Sequence, residues 1–336
     1  MKKIFFILMW QTGVYISKAQ VNPLTKAEFS ESINKTFANI ITGDEKNTIG
    51  TFASVDTKDA AATLNVSRIT ESCKVFSMNV KAGVSDGISS IFSNSKLNSD
   101  IAIQFKYSSL KIDGSALKYY TDPGTSKRVM TGYKFGWVNV FYTVNSQSFR
   151  LFDPSASFSD QLKKNNYVSH KLGFEYNYIN WAADDPKNLF FSIGAYAEMN
   201  NNLSDLTKIE LTDVANYTTT VGQRTSTKKY FVYTGKYANN LFGAAIYSDF
   251  YRFLFDFGHS AIHLFPKVQF AKNDKPAYSF GFGLLVGLKN KKDNTIINTE
   301  LFANFMDLTN TSDSEKKLFE RNDIGLRFAF TINFNH

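Results

Sequence analysis

The sequence predicts an all-β fold, a closed antiparallel transmembrane β-barrel of about 14 strands, with about 12 as the alternative, and a short N-terminal helix. Apolar and polar residues alternate with a period of two from about residue 60 to the C-terminus. Aromatic residues make up 15% of the chain, although the mean hydropathy is only -0.24. A barrel with an apolar outer face and a wet interior accounts for both observations.

The first segment, residues 1–19, has the features of a signal peptide. Lys2 and Lys3 are followed by a short apolar run at 4–10, and Ser17 and Ala19 occupy the small positions of a cleavage site. The mature chain is therefore expected to begin at Gln20. The formal net charge of +8 then loses three lysines and becomes 8 − 3 = +5.

Residues 20–58 form an N-terminal extension with a different pattern. Thr25 and Glu28 have the spacing of a capping box, which predicts a helix over 26–41. Its apolar face carries the plug-helix candidates Phe29, Ile33, Phe37 and Ile40. An isolated helix of this length is marginal in water, so it is expected to dock as a partial plug at the periplasmic mouth. The alternative is a tail that binds a periplasmic partner.

The clearest predicted strand is 323–334, within the predicted barrel domain at 59–336. Its apolar residues all fall on one face, at Ile324, Leu326, Phe328, Phe330, Ile332 and Phe334. A C-terminal strand with such large apolar residues resembles the assembly signal of Gram-negative outer-membrane β-barrel proteins. Asn335 and His336 follow Phe334, whereas the usual signal ends on the aromatic residue. The resemblance implies a location in the cell outer membrane, with outer-membrane lipid as the first partner.

Loop lengths provide a test of the strand count. The strong predicted strands are 59–69, 74–84, 98–110, 131–144, 167–181, 189–199, 228–238, 242–257, 262–272, 278–288, 295–306 and 323–334. Two weaker candidates are 148–153 and 206–214. With both termini periplasmic, the strong set alone puts the long connections 145–166 and 200–227 on the periplasmic side, where turns are usually short. Adding both weak strands moves most long loops outside and favours fourteen. Pro266 predicts a bulge.

Candidate catalytic and metal-binding motifs are weak. Ser260 lies in a partial nucleophile elbow that has Ile262 at its last position, where the motif requires glycine. His259 and His263 have the spacing of helical zinc ligands, but they are expected on a turn or strand. The single cysteine, Cys73, cannot form an internal disulfide. We therefore expect no enzymatic activity, no metal and no cofactor, and the scattered basic residues predict no nucleic-acid binding.

The polar face of the predicted strands carries charges of both signs. The lumen-lining candidates are Lys81, Lys106, Lys171, Glu175, Glu198, Lys267, Glu300 and Arg327. These residues indicate either a conduit for a small or moderately apolar solute or a plugged barrel in which the charges pair. A porin-like passive channel or transporter is the leading hypothesis. The alternative is a structural or assembly partner of other envelope proteins. A third hypothesis is a lipid-acting enzyme that uses Ser260 with His259 or His263.

Overall fold

The computed structural model describes residues 51–331, apart from 58–60, 71–73, 84–100, 112–116, 122, 125–127, 183–187, 204–205, 220–221, 255–259, 272–274, 290–294 and 312–316. The predicted helix at 26–41 and its four plug-helix candidates lie outside the described residues. The described helices are two single 3₁₀ turns at Phe158–Asp160 and Leu318–Glu320. None of the helices in this part of the chain is long and apolar enough to cross a membrane.

Strands make up nearly all of the described chain. They are β1 (Phe52–Asp56), β2 (Ala61–Ile69), β3 (Lys74–Gly83), β4 (Ile101–Lys111), β5 (Leu117–Thr121), β6 (Arg128–Phe152), β7 (Leu162–Ala182), β8 (Leu189–Asn200), β9 (Thr207–Thr219), β10 (Gly222–Thr234), β11 (Leu241–Leu254), β12 (Ser260–Ala271), β13 (Ala277–Lys289), β14 (Thr295–Phe305) and β15 (Asn322–Thr331).

Twelve of these strands close into an antiparallel barrel. The order is β1-β2-β3-β4-β6-β7-β8-β11-β12-β13-β14-β15, and β15 returns to β1 through pairs from Phe52↔Thr331 to Asp56↔Arg327. The barrel prediction is therefore confirmed with the alternative count of twelve, and the preferred count of fourteen is wrong. The weak candidate at 148–153 continues β6, and the one at 206–214 belongs to β9, which pairs with β10 outside the barrel wall.

The loop-length test failed because one strand was missed and another was misassigned. β1 lies before residue 59, where the predicted barrel begins, and the segment 228–238 overlaps β10 rather than a barrel strand. Adding β1 reverses the side assigned to the early connections. Four long connections, 84–100, 153–161, 201–240 and 306–321, then lie at one end, which we call the loop end, whereas the connection 112–127, which contains β5, lies at the opposite end. The opposite end, the terminal end, holds the start of β1 and the finish of β15.

The barrel wall is apolar outside and polar inside. Outward-facing side chains such as Phe76, Phe105, Leu172 and Phe174 are more than half exposed. Large apolar side chains are usually buried in soluble proteins, whereas many of those on this wall are exposed. The inner face instead buries polar residues, among them Asn65, Gln104, Asn139, Asn177 and Asn298.

Inner-face glycines leave room for large neighbours. A Cβ atom built on Gly281 would collide with the Phe265 ring of the adjacent strand, and one on Gly173 would collide with Phe141. The wall can therefore hold big inward rings without spreading.

Pro266 does not form the predicted bulge. The register of β12 against β13 is continuous through Pro266↔Phe280. Proline lacks an N–H group, and the missing hydrogen bond falls on the β11 side, where the ladder is interrupted for two residue pairs.

Candidate functional site in the barrel lumen

A buried histidine lies between two carboxylates in the middle of the lumen. His263 of β12 directs its Nδ1 atom to Glu300 Oε1 of β14 at 2.5 Å, and its Nε2 atom to Asp249 Oδ1 of β11 at 3.0 Å. The three side chains are 0–1% exposed. All three side chains point into the lumen from neighbouring strands, and the strand between β12 and β14 presents Gly283, which leaves space for Glu300.

Further polar groups extend this contact along the wall. The Arg327 guanidinium contacts Asp56 at 2.8 Å and Glu300 at 3.4 Å, and the Ser192 hydroxyl donates to Asp249 at 3.0 Å. The resulting chain runs from β1 through β15, β14, β12 and β11 to β8, and we call it the lumen network. Burying charges is costly unless they are paired and hydrogen-bonded, and each carboxylate here has at least one such partner.

A further buried carboxylate lies on β7, next to the β8 end of the lumen network. Glu175 of β7 accepts hydrogen bonds from Asn139 at 2.9 Å, Asn177 at 2.6 Å and the Tyr247 hydroxyl at 3.0 Å. The ammonium group of Lys106, itself 6% exposed, lies near enough to attract this carboxylate electrostatically. Together with the lumen network, these side chains fill the middle of the barrel.

The terminal end of the lumen is filled by rings and aliphatic side chains. This aromatic barrier comprises Tyr133, Phe135, Trp137, Ile179, Phe190, Tyr251 and Phe253, none of them more than 7% exposed. Its rings contact one another in sequence, from Phe135–Trp137 at 5.6 Å through Trp137–Phe190 at 5.9 Å to Phe190–Tyr251 at 5.8 Å between centroids. Tyr251 then stacks on His263 at 3.8 Å, which joins the barrier to the lumen network.

The loop end contains a polar cavity of about 420 Å³, the vestibule. Amide and hydroxyl groups dominate its wall, from Asn79, Gln104, Thr143, Asn145, Ser169 and Asn200. Lys81, Lys171 and Glu198 add charges, and Lys171 contacts Glu198 at 3.7 Å. Two positions deeper along β6 and β8 than the lining residues Thr143 and Glu198, the rings of Phe141 and Tyr196 are at most 5% exposed.

All eight lumen-lining candidates lie on the inward-facing side of their strands. Lys81, Lys171 and Glu198 line the vestibule, whereas Lys106, Glu175 and Glu300 are buried below it. Lys267 lies over the Tyr196 ring at 5.3 Å and Arg327 over the Phe302 ring at 4.0 Å.

Sequence reasoning missed Asp249 and the lumen role of His263. Alternation along β12 could have identified His263 as an inward residue, because it lies four positions before the inward Lys267 and therefore on the same face of the strand.

The partial nucleophile elbow is not assembled into a catalytic pair. Ser260 begins β12 and donates its hydroxyl to the Leu254 carbonyl at 3.2 Å. Residues 260 and 263 are three apart on one strand, so their side chains point to opposite faces. His259 lies outside the described residues. Within the described ranges, no group of three or more His, Cys, Asp and Glu side chains is arranged to hold a metal ion.

No known protein family matches this chain, and no curated protein matches it either. The interpretation of the lumen therefore depends on its geometry.

Proposed function

We propose that this chain is an outer-membrane barrel that takes small polar solutes from the loop end into its lumen and passes them only when a closed section opens. It would be a gated form of the passive channel or transporter expected from the sequence. The observation that carries the proposal is the vestibule, which is polar and lies at one end of a lumen that is closed at its middle and terminal end.

The outer surface supports a membrane location. The exposed apolar band would match a bilayer interior, and the polar lumen would keep charged groups away from lipid. Four long connections lie at the loop end, and most terminal-end connections, such as 183–188 and 255–259, are shorter, with 112–127 as the long exception. This asymmetry is typical of bacterial barrels whose loops face outward and whose turns face the periplasm.

Conductance of the purified protein in planar bilayers tests the gate. The wild-type barrel is expected to show no steady single-channel current, because the inward side chains of its middle section are almost fully buried. The triple variant Trp137→Ala/Phe190→Ala/Tyr251→Ala removes consecutive rings of the aromatic barrier and is expected to give stepwise currents. Phe174→Ala removes an outward ring as a matched control and should remain silent.

Heat-modifiable migration on a gel verifies that each variant is folded before its current is measured. Large open-pore currents from the wild type would overturn the closed lumen. A folded but silent triple variant would overturn the assignment of the gate to the aromatic barrier. Recovery of the wild type as a soluble periplasmic monomer, with no need for detergent, would overturn the membrane location.

A second candidate function, a structural or assembly partner in an envelope complex, is favoured by the β9–β10 hairpin. Most of its residues are exposed, and its base pairs with the upper part of β6 at Tyr233↔Leu151. In the described part of the chain, β9 pairs with β10 alone. Exposed strand edges can pair with another chain. Deleting 206–235 and testing co-purification of envelope proteins separates this function from solute passage.

We also propose that the chain is not an enzyme. The orientation of Ser260 away from His263 supports this, and Ser260→Ala is expected to leave the lipid profile of cells unchanged. An altered profile would revive the lipid-acting enzyme hypothesis.

A further inference from the structure

We propose that the vestibule is a binding site for a small acidic sugar, a hydroxylated ring that carries one carboxylate. This inference rests on the proposed function, because it names the solute class that the loop end would take up. Three features of the vestibule carry it: the neutral polar groups of its wall, the excess of lysine over carboxylate, and its limited size.

The neutral groups suit a ligand rich in hydroxyls. Asn79, Asn145 and Asn200 supply side-chain amides, and Thr143 and Ser169 supply hydroxyls. A side-chain amide offers both donors and an acceptor, and a sugar hydroxyl also does both, so the two pair in either direction. Apolar groups are few in the wall, mainly Ala61 and Ala102. A moderately apolar solute would therefore leave these amides unpaired, which is unfavourable.

The charged groups favour a negative ligand. Lys81 and Lys171 line the cavity. The ammonium groups of Lys171 and Lys267 both lie over the Tyr196 ring, at 4.3 Å and 5.3 Å from its centroid. Glu198 is the carboxylate among the lining residues. A concave site with an excess of one charge sign concentrates ligands of the opposite sign. Among the lining residues the excess is one positive charge, 2 − 1 = +1, and a single carboxylate on the ligand matches it while its hydroxyls contact the amides.

The size of the site limits the ligand to a small molecule. A volume of about 420 Å³ lies toward the lower end of the range of ordinary ligand pockets. The rings of Phe141 and Tyr196, two positions deeper along their strands than the lining residues Thr143 and Glu198, are buried, which disfavours a longer chain that would extend below the cavity. A ligand of one or two sugar rings therefore fits better than a polymer.

Isothermal titration of the detergent-solubilised full chain with three probes tests the proposal. The probes are glucuronate, which has both features, glucose, which lacks the carboxylate, and acetate, which lacks the hydroxyls. Glucuronate is expected to bind at least about tenfold more tightly than either of the others, because one well-placed charged contact is worth about that factor. Equal binding of glucose, equal binding of acetate, or no binding of glucuronate would each overturn the proposal.

Matched lysine variants locate the binding. Lys171→Gln is expected to reduce glucuronate affinity about tenfold and to leave glucose affinity unchanged, since the ligand contact that it removes is the one to the carboxylate. Lys228→Gln changes an exposed lysine of β10 and should alter neither affinity. Gel heat-modifiability verifies that both variants are folded. Unchanged glucuronate affinity in folded Lys171→Gln would overturn the site assignment.

The two proposals can fail separately. If the barrier variant conducts but glucuronate does not bind, the acidic-sugar site is wrong and the gated conduit stands. If the wild type conducts as an open pore while glucuronate binds at the vestibule, the gate is wrong and the site stands.

Discussion

Replacing His263 by leucine tests whether the lumen network holds the barrel together. The substitution removes both contacts of the imidazole and leaves Asp249 with Ser192, and Glu300 with Arg327 at 3.4 Å. Glu300 is 0% exposed, so water cannot take the place of the lost partner. Leaving a buried polar group without its hydrogen-bond partner costs about 1–3 kcal/mol, and here two buried carboxylates each lose one partner. Because leucine fills much of the imidazole volume, most of this loss is expected to be electrostatic.

Unfolding by urea in lipid vesicles measures the effect. Trp137 lies in the aromatic barrier and Trp181 packs on Tyr133 at 5.1 Å, so tryptophan fluorescence reports the loss of lumen packing. His263→Leu is expected to lower the free energy of unfolding by about 2–6 kcal/mol, the cost of two lost hydrogen bonds to buried carboxylates. His170→Leu provides the control, because His170 is an exposed outer-wall residue that contacts Tyr142 at 2.8 Å.

A second variant separates charge from shape. The triple substitution His263→Leu/Asp249→Leu/Glu300→Met removes the central charges together, and replacing buried ion networks by apolar side chains is often neutral or stabilising. It should therefore recover part of the stability lost in the single variant. If His263→Leu is as stable as the wild type, the buried contacts of His263 do not stabilise the barrel, and the electrostatic account is refuted.

Three further predictions concern the wall and its orientation. Leu284→Arg places a charge in the middle of the outward face of β13 and should destabilise the barrel in vesicles by about 2–4 kcal/mol. Val214→Arg on β9 is the control and should not destabilise it. Equal losses of stability in urea unfolding would contradict a lipid-facing wall. Gly281→Val should lower the temperature at which the protein shifts on the gel, because the valine side chain meets the Phe265 ring. Adding Phe265→Ala should restore part of the lost stability. Unchanged stability of the single variant would contradict the close packing. A protease site inserted at 220–221 should be cleaved in intact cells, and protection there would reverse the assigned orientation.

The orientation of the side chains could be predicted from the sequence. Lys106, Glu175 and Glu300 were placed on the inner face from strict alternation, and the structure buries all three inside the barrel. This works because successive side chains on a strand point to opposite faces, so the local pattern determines which side each residue occupies. The barrel itself follows from the same pattern, repeated along most of the chain.

The number of strands in the wall needed the tertiary structure. β1 has five residues, and its place in the wall comes from pairing with β15, more than 270 positions away in the chain. β10 overlaps the segment 228–238 that was predicted as a wall strand, yet it pairs with β9 and the top of β6 outside the wall. Alternation shows that a segment is a strand but does not identify its neighbour, because pairing is decided by distant backbone groups.

The contacts inside the lumen were also decided by the tertiary structure. His263 and Glu300 are 37 residues apart, and His263 and Asp249 are 14 apart, so no local spacing signals their meeting. Their contact depends on the register of four strands, on the gap left by Gly283, and on a lumen narrow enough to be filled. The sequence by itself determined which side chains face inward. Only barrel closure decided which of them touch, because register and lumen width arise from hydrogen bonds between strands far apart in the chain.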